Sequence, residues 1–191
     1  MNTSNVIGSI AGDKFAIEIL TETFNCGEFQ WRIVDPKKCD PNSLIISGEL
    51  ARRMFEILNL PENMQYRIIC HDAALYCLGV IKEIPNYVAR RPFEQIYRGR
   101  SFNFEGGPSE FPALVHYMQP ELDITRLNDS CYKPDPYLVH SAILLARLPE
   151  RSPARGQIIC FEKKGVCPAR FSTLDHSHRF YGESLKLVYV Q

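Results

Sequence analysis

Several features are missing from this chain of 191 residues, and each absence excludes something. Charge of one sign is not in excess: Lys and Arg together number 22, Asp and Glu 22, and the formal net charge is zero. That balance argues against nucleic-acid binding driven by bulk electrostatics, while leaving room for a local basic patch. No apolar run reaches the length that spans a bilayer, so no membrane partner is expected. The opening MNTSNVIGSIAGDKF has neither a basic start nor a long apolar stretch, and no secretory signal is read there. The cysteines are Cys26, Cys39, Cys70, Cys77, Cys131, Cys160 and Cys167, and no two form a C-x-x-C. A zinc ribbon or thioredoxin-like motif is therefore not visible. The expectation is a reducing compartment, cytoplasm or nucleus, with mostly buried free thiols. Also missing are G-x-S-x-G, G-x-x-x-x-G-K-[ST], G-x-G-x-x-G, internal repeats and low-complexity tracts.

What is present is ordinary globular composition, 45% hydrophobic and 23% charged. The length suits one domain with a sizeable core, and no clear linker divides it. The expected fold is a single α+β domain over 1–191, with 1–12 a flexible tail. It has an N-terminal β-hairpin, a mixed or antiparallel sheet and about three helices. KFAIEIL (14–20) and EFQWRIV (28–34) alternate apolar and polar residues, and Asn25-Cys26-Gly27 between them has turn chemistry. SGELARRMFEILNLP (47–61) reads as a helix capped by Ser47, with Leu50, Met54, Phe55 and Leu58 inward and Pro61 ending it. QYRIIC (65–70) is strand-like. ALYCLGVIKEI (74–84) is a strand or a short helix, Gly79 and the β-branched residues favouring strand. PSEFPALVHYM (108–118) suits a helix capped by Ser109. DPYLVHSAILLARL (135–148) is the clearest helical pattern in the chain, and QIICFEKK and SLKLVYVQ read as strands.

One spelling carries chemistry. Pro134-Asp135 is followed, on the strand of QIICFEKK, by Glu162-Lys163-Lys164, the PD and ExK of divalent-metal nucleases. In that chemistry two carboxylates on adjoining strands hold Mg²⁺ or Mn²⁺, hard cations that prefer oxygen, and the lysine activates water. Glu162 and Lys164 are two apart on a strand and share a face; Glu110 is a further candidate ligand. The local physics at Asp135 opposes this reading. Asp at an N-cap with Pro136 at the first helical position starts a helix, and the carboxylate then serves backbone N–H groups. Glu162, Lys163 and Lys164 are equally read as the point where a buried strand exits to water.

Arg90, Arg91, Arg98 and Arg100 interleave with Phe93, Tyr97, Phe102 and Phe104, a pattern that grips phosphates and stacks bases. A solvated loop whose Arg stems cover the core is the favoured reading. His176, His178 and Glu183 match the first metal motif of cupins, but the chain supplies no later histidine, and a surface loop is expected. Cys70 beside His71 reads as a buried structural cysteine, since neighbours on a strand point apart. Ser141 and His140 are adjacent and do not face each other on a helix.

DPYLVHSAILLARL, then a loop, then IICFE and an aromatic-rich end resembles a group of small uncharacterised fungal proteins over residues 134–191. The resemblance implies an accessory protein of lineage-specific type and no catalytic residues. The leading expectation is a non-enzymatic intracellular regulatory or interaction factor whose partner is another protein, without a cofactor. The alternatives are the nuclease, using Asp135, Glu162 and Lys164, and an accessory protein or enzyme of a secondary-metabolite pathway.

Overall fold

A computed structural model describes residues 13–20, 30–65, 67–84, 102–103, 107–108, 110–120, 138–149, 156–164 and 167–190. Among them are nine strands and four helices, arranged as an α+β fold with two antiparallel sheets. The strands are β1 (Lys14–Leu20), β2 (Gln30–Val34), β3 (Leu44–Ser47), β4 (Phe102–Asn103), β5 (Ala113–Met118), β6 (Leu138–Arg147), β7 (Ile158–Lys163), β8 (Ala169–Thr173) and β9 (Lys186–Val190). The helices are α1 (Gly48–Leu58), α2 (Glu62–Gln65), α3 (Cys70–Cys77) and α4 (Leu174–Tyr181).

The expected N-terminal hairpin is present. β1 pairs antiparallel with β2, Ile17 opposite Ile33, and with β3 on its other edge, giving the order β2-β1-β3. Phe15 and Ile17 share one buried face, and Ala16 and Glu18 on the other face are covered too. Glu18 faces Arg32 across the pair and is ion-paired to it at 2.6 Å. α1 follows β3 directly. Ser47 occupies its N-cap position but makes no side-chain cap hydrogen bond. Ala51, Met54 and Ile57 form its fully buried stripe, with Leu50, Phe55 and Leu58 half-buried beside it.

The larger sheet has the order β4-β9-β5-β6-β7-β8, antiparallel throughout. α1 and α3 pack on one side, α3 touching β6 and β7, and α4 crosses β6, β7 and β8 on the other. Each face carries its own apolar layer. Leu114, Ile143, Phe161 and Phe171 meet α1, α3 and the small sheet, while Val115, Ala142, Leu144 and Cys160 join Leu174 of α4. Phe171 ties the sheets together, with Trp31 edge-on to it at 4.8 Å.

Four expectations about elements are corrected. The helix expected over 135–148 is corrected where the residues are described: Leu138–Arg147 are the central strand β6, buried from His140 to Leu145. Residues 113–118, read as helical, are strand β5, with all six residues buried. Both strands are covered on both faces, so their apolar residues run on without alternation, and a long apolar run then mimics helical spacing. Residues 74–84 are not a strand. Their first part belongs to α3, buried on every side from Asp72 to Cys77 and thus without a polar stripe to reveal it. Gly79, read as favouring strand, closes α3 at φ 78°: its N–H donates to Tyr76 O at 2.9 Å and that of Val80 to Leu75 O at 3.0 Å. That double bond is the Schellman stop, which favours glycine. The strand expected at 65–70 is absent from the described residues there; Gln65 ends α2 and Cys70 begins α3.

Candidate functional site

The chemistry-bearing residues that the fold brings together surround Glu162. It lies on β7, where all six residues are buried, and its own exposure is 2%. The register puts Ala142 of β6 opposite it on one side and Arg170 of β8 on the other. α4 crosses the same face and supplies Ser177. Four groups reach the carboxylate. Ser177 Oγ donates to Oε2 at 2.5 Å and His140 Nε2 stands 3.2 Å from the same oxygen. Arg170 Nε donates to Oε1 at 3.3 Å, and Lys164 Nζ lies 3.4 Å from Oε1. Burial pushes the Glu162 carboxyl up, but the hydrogen bond from His140, the charge that this imidazole takes on in acid, the Ser177 hydroxyl and the Lys164 cation outweigh it and hold it at about 2.

An ionised carboxylate only accepts, so His140 carries its proton on Nε2. Burial lowers the pKa of this imidazole, against the pull of Glu162. It is therefore the neutral tautomer at pH 7, and its Nδ1 is a buried acceptor without a hydrogen-bond partner. Its ring stacks on Tyr181 at 3.9 Å and lies 5.2 Å from Tyr117. Burial raises the Tyr117 phenol far above its ordinary range. The arrangement holds one negative charge among neutral and cationic donors beneath an aromatic cover.

A second polar group sits on the opposite face, one residue along. Ser141 Oγ lies 2.8 Å from His71 Nδ1 on α3 and 2.6 Å from His116 Nδ1 on β5. One hydroxyl proton serves one imidazole, and the other imidazole donates to the oxygen. Burial first, then neighbouring imidazoles, push His71 down to about 4 and His116 to about 3, so both are neutral. Cys70 Sγ lies 3.6 Å from His71 Nδ1, and burial raises that thiol to about 11, which keeps it protonated and a poor nucleophile.

Of the sequence-derived candidates, Glu162 and Lys164 do come together, but not at an exit to water: Glu162, Lys163 and Lys164 are all buried. Asp135, Arg90, Arg91, Arg98 and Arg100 lie outside the described residues. The helix that Asp135 was to cap does not exist, since β6 takes its place. Glu110 is exposed. His176 and His178 lie on α4, not in a loop, and two residues of helix set their side chains on nearly opposite sides. His178 Nε2 meets Leu185 O at 2.9 Å, and Glu183 faces Arg179 at 3.7 Å on the surface. Among the described residues no three His, Cys, Asp or Glu side chains are grouped to hold a metal ion. His140, Ser177 and Arg170 at Glu162, and the His71–Ser141–His116 group, were not foreseen. Their signal was a polar residue inside an apolar strand: His116 in ALVHYM, His140-Ser141 in LVHSAILL, Glu162 in IICFEK.

No protein-family model, curated protein or solved structure matches the chain. No described helix is long and apolar enough to cross a membrane.

Proposed function

We propose that this chain is a non-enzymatic regulatory or protein-interaction factor of accessory type, acting in cytoplasm or nucleus with another protein as partner. One observation carries the reading: the Glu162 carboxylate, the acid that the metal chemistry needs, is committed to His140, Ser177, Arg170 and Lys164. The cations beside this carboxylate disfavour a further Mg²⁺, and three hydrogen bonds already take most of its acceptor sites. The charged interior then acts as a fixed internal network that specifies the packing of α4 on the sheet. The test is affinity purification from the native host, followed by rebuilding the complex from two purified components. A stable stoichiometric complex supports the reading; a chain that stays alone and turns over a substrate refutes it.

A second reading, the divalent-metal nuclease of Asp135, Glu162 and Lys164, is favoured by one observation. Glu162 and Lys164 are 3.4 Å apart where β7 runs beside β6, the strand that begins at Leu138. Against it, the residue opposite Glu162 is Ala142 and the nearest polar side chain of β6 is His140, not an acid. Incubation with plasmid or RNA and Mg²⁺ or Mn²⁺ decides: cleavage lost in both Asp135→Ala and Glu162→Gln establishes the nuclease, and no cleavage removes it.

A further inference from the structure

The small sheet ends on an open edge. β3 pairs with β1 on one side, and among the described residues no strand pairs with it on the other. In an antiparallel pair, residues alternate between those whose backbone bonds to the neighbour and those whose backbone points away. The bond from Gly48 N to Asp13 O, at 2.8 Å, fixes the alternation here. Residues 44, 46 and 48 face β1, so the C=O of Ser43, the N–H and C=O of Ile45 and the N–H of Ser47 point outward.

This edge is also uncovered. Ile45 is 48% exposed and Ser47 is exposed, whereas β8, at the end of the larger sheet, is buried at every residue but Arg170. Strand edges are ordinarily blunted by a lysine, a proline or a bulge. LIIS carries no charge and no proline, and its register with β1 runs without a break.

We propose that β3 is a self-association edge. Two copies of the chain pair their β3 strands antiparallel about a two-fold axis at Ile45, and their small sheets join in the order β2-β1-β3-β3-β1-β2. The edge is its own complement. With Ile45 opposite its copy, each Ile45 N–H meets the other's C=O, and each Ser47 N–H meets the C=O of the other Ser43. No donor faces a donor. The two Ile45 side chains lie opposite each other and lose part of their contact with water. No charged side chain lies within residues 43–47, so the pairing opposes no like charges. A foreign strand would need only an extended backbone; the matched donors and acceptors and the matched isoleucine favour the second copy. A strand of four residues covers less surface than a permanent dimer needs, so the association is weak and grows with concentration. It stands apart from the role proposed above, which concerns a foreign partner.

The experiment is sedimentation of the full chain from about 1 μM to about 1 mM, the range over which a small interface saturates. The expected result is a mass that climbs from monomer towards dimer and no further. Hydrogen exchange by NMR locates the contact: the Ile45 and Ser47 amides slow as concentration rises, while those of Leu44 and Ile46, already turned to β1, do not. Ile45→Lys changes an exposed side chain and sets like charges opposite each other, and is expected to weaken the dimer roughly ten-fold or more. Phe180→Ser removes a still more exposed apolar side chain, at 63%, and is expected to leave the dimer unchanged. A mass that stays monomeric throughout overturns the proposal. So do growth beyond the dimer, Ile45 and Ser47 amides that do not slow, or a dimer that survives Ile45→Lys. Protection of these amides only in a complex with another protein gives the edge to that partner and likewise overturns it.

Discussion

His140 on β6 and Glu162 on β7 stand 3.2 Å apart, each almost wholly screened from water, and the imidazole is neutral while the carboxylate is charged. Coulomb attraction between two ions is therefore not what holds the pair. A charge-assisted hydrogen bond does, strengthened by the low dielectric around it. The carboxylate owes its stability to several donors at once.

Removing that charge leaves every donor facing a weaker acceptor. Glu162→Gln is expected to lower the unfolding free energy by about 3–5 kcal/mol, the usual cost of breaking a buried ionic group. Urea denaturation measures it. Glu183→Gln, on the exposed Arg179 pair, is the control and should fall within about 0.5 kcal/mol of the parent.

Ser141 bridges His71 and His116. Ser141→Ala removes both hydrogen bonds but scarcely changes volume. The expected loss is about 1–3 kcal/mol, for burying ring nitrogens with a partner gone. Ser141→Cys, nearly isosteric and a weak donor, should recover part of it. A Ser141→Ala melting curve indistinguishable from the parent's would contradict the bridge.

Acid should weaken the fold before any carboxylate titrates. His71 is held at about 4 and His116 at about 3, against an ordinary 6.5, so the unfolded chain binds protons that the folded one refuses. Stability is full above pH 6.5 and falls as pH drops towards 4 and then 3, by on the order of 3 kcal/mol for His71 and 5 kcal/mol for His116. Glu162, held at about 2 against 4.5, adds a further loss below pH 4.5 in the same direction. Thermal melts from pH 8 to pH 4 test this. His116→Gln should flatten the profile between pH 6.5 and pH 4, and an unchanged slope there would remove His116 as a source.

Thr173 caps α4 by accepting from His176 N at 3.2 Å. Thr173→Ala is expected to cost about 1 kcal/mol. Because α4 carries Ser177 onto Glu162, amide exchange in this helix should rise along with the loss.

The amphipathic parts of the fold were legible in the sequence. β1 and β2 alternate in sequence with Phe15, Ile17 and Ile33 on the core side, and α1 shows a stripe because one side of it meets water. The elements buried on two sides were not legible. β5, β6 and α3 have no wet face, so periodicity offers nothing to separate strand from helix. The same cause hid the site. Glu162 and Lys164 were noticed for their spelling, but strand order decided who met them: Arg170 came from β8, Ser177 from α4 and His140 from β6. Those pairings are long-range and leave no local trace.

His140 and Ser141 are neighbours in the chain, yet each keys into a different side of the sheet. A slip of β6 by a single residue would turn the imidazole towards α3 and the hydroxyl towards α4, taking the histidine donor from Glu162 on one side and the shared hydroxyl from His71 and His116 on the other. The polar pair thus works as a ratchet tooth: apolar neighbours such as Ile143 and Leu144 would tolerate either alignment, and these two side chains permit only one.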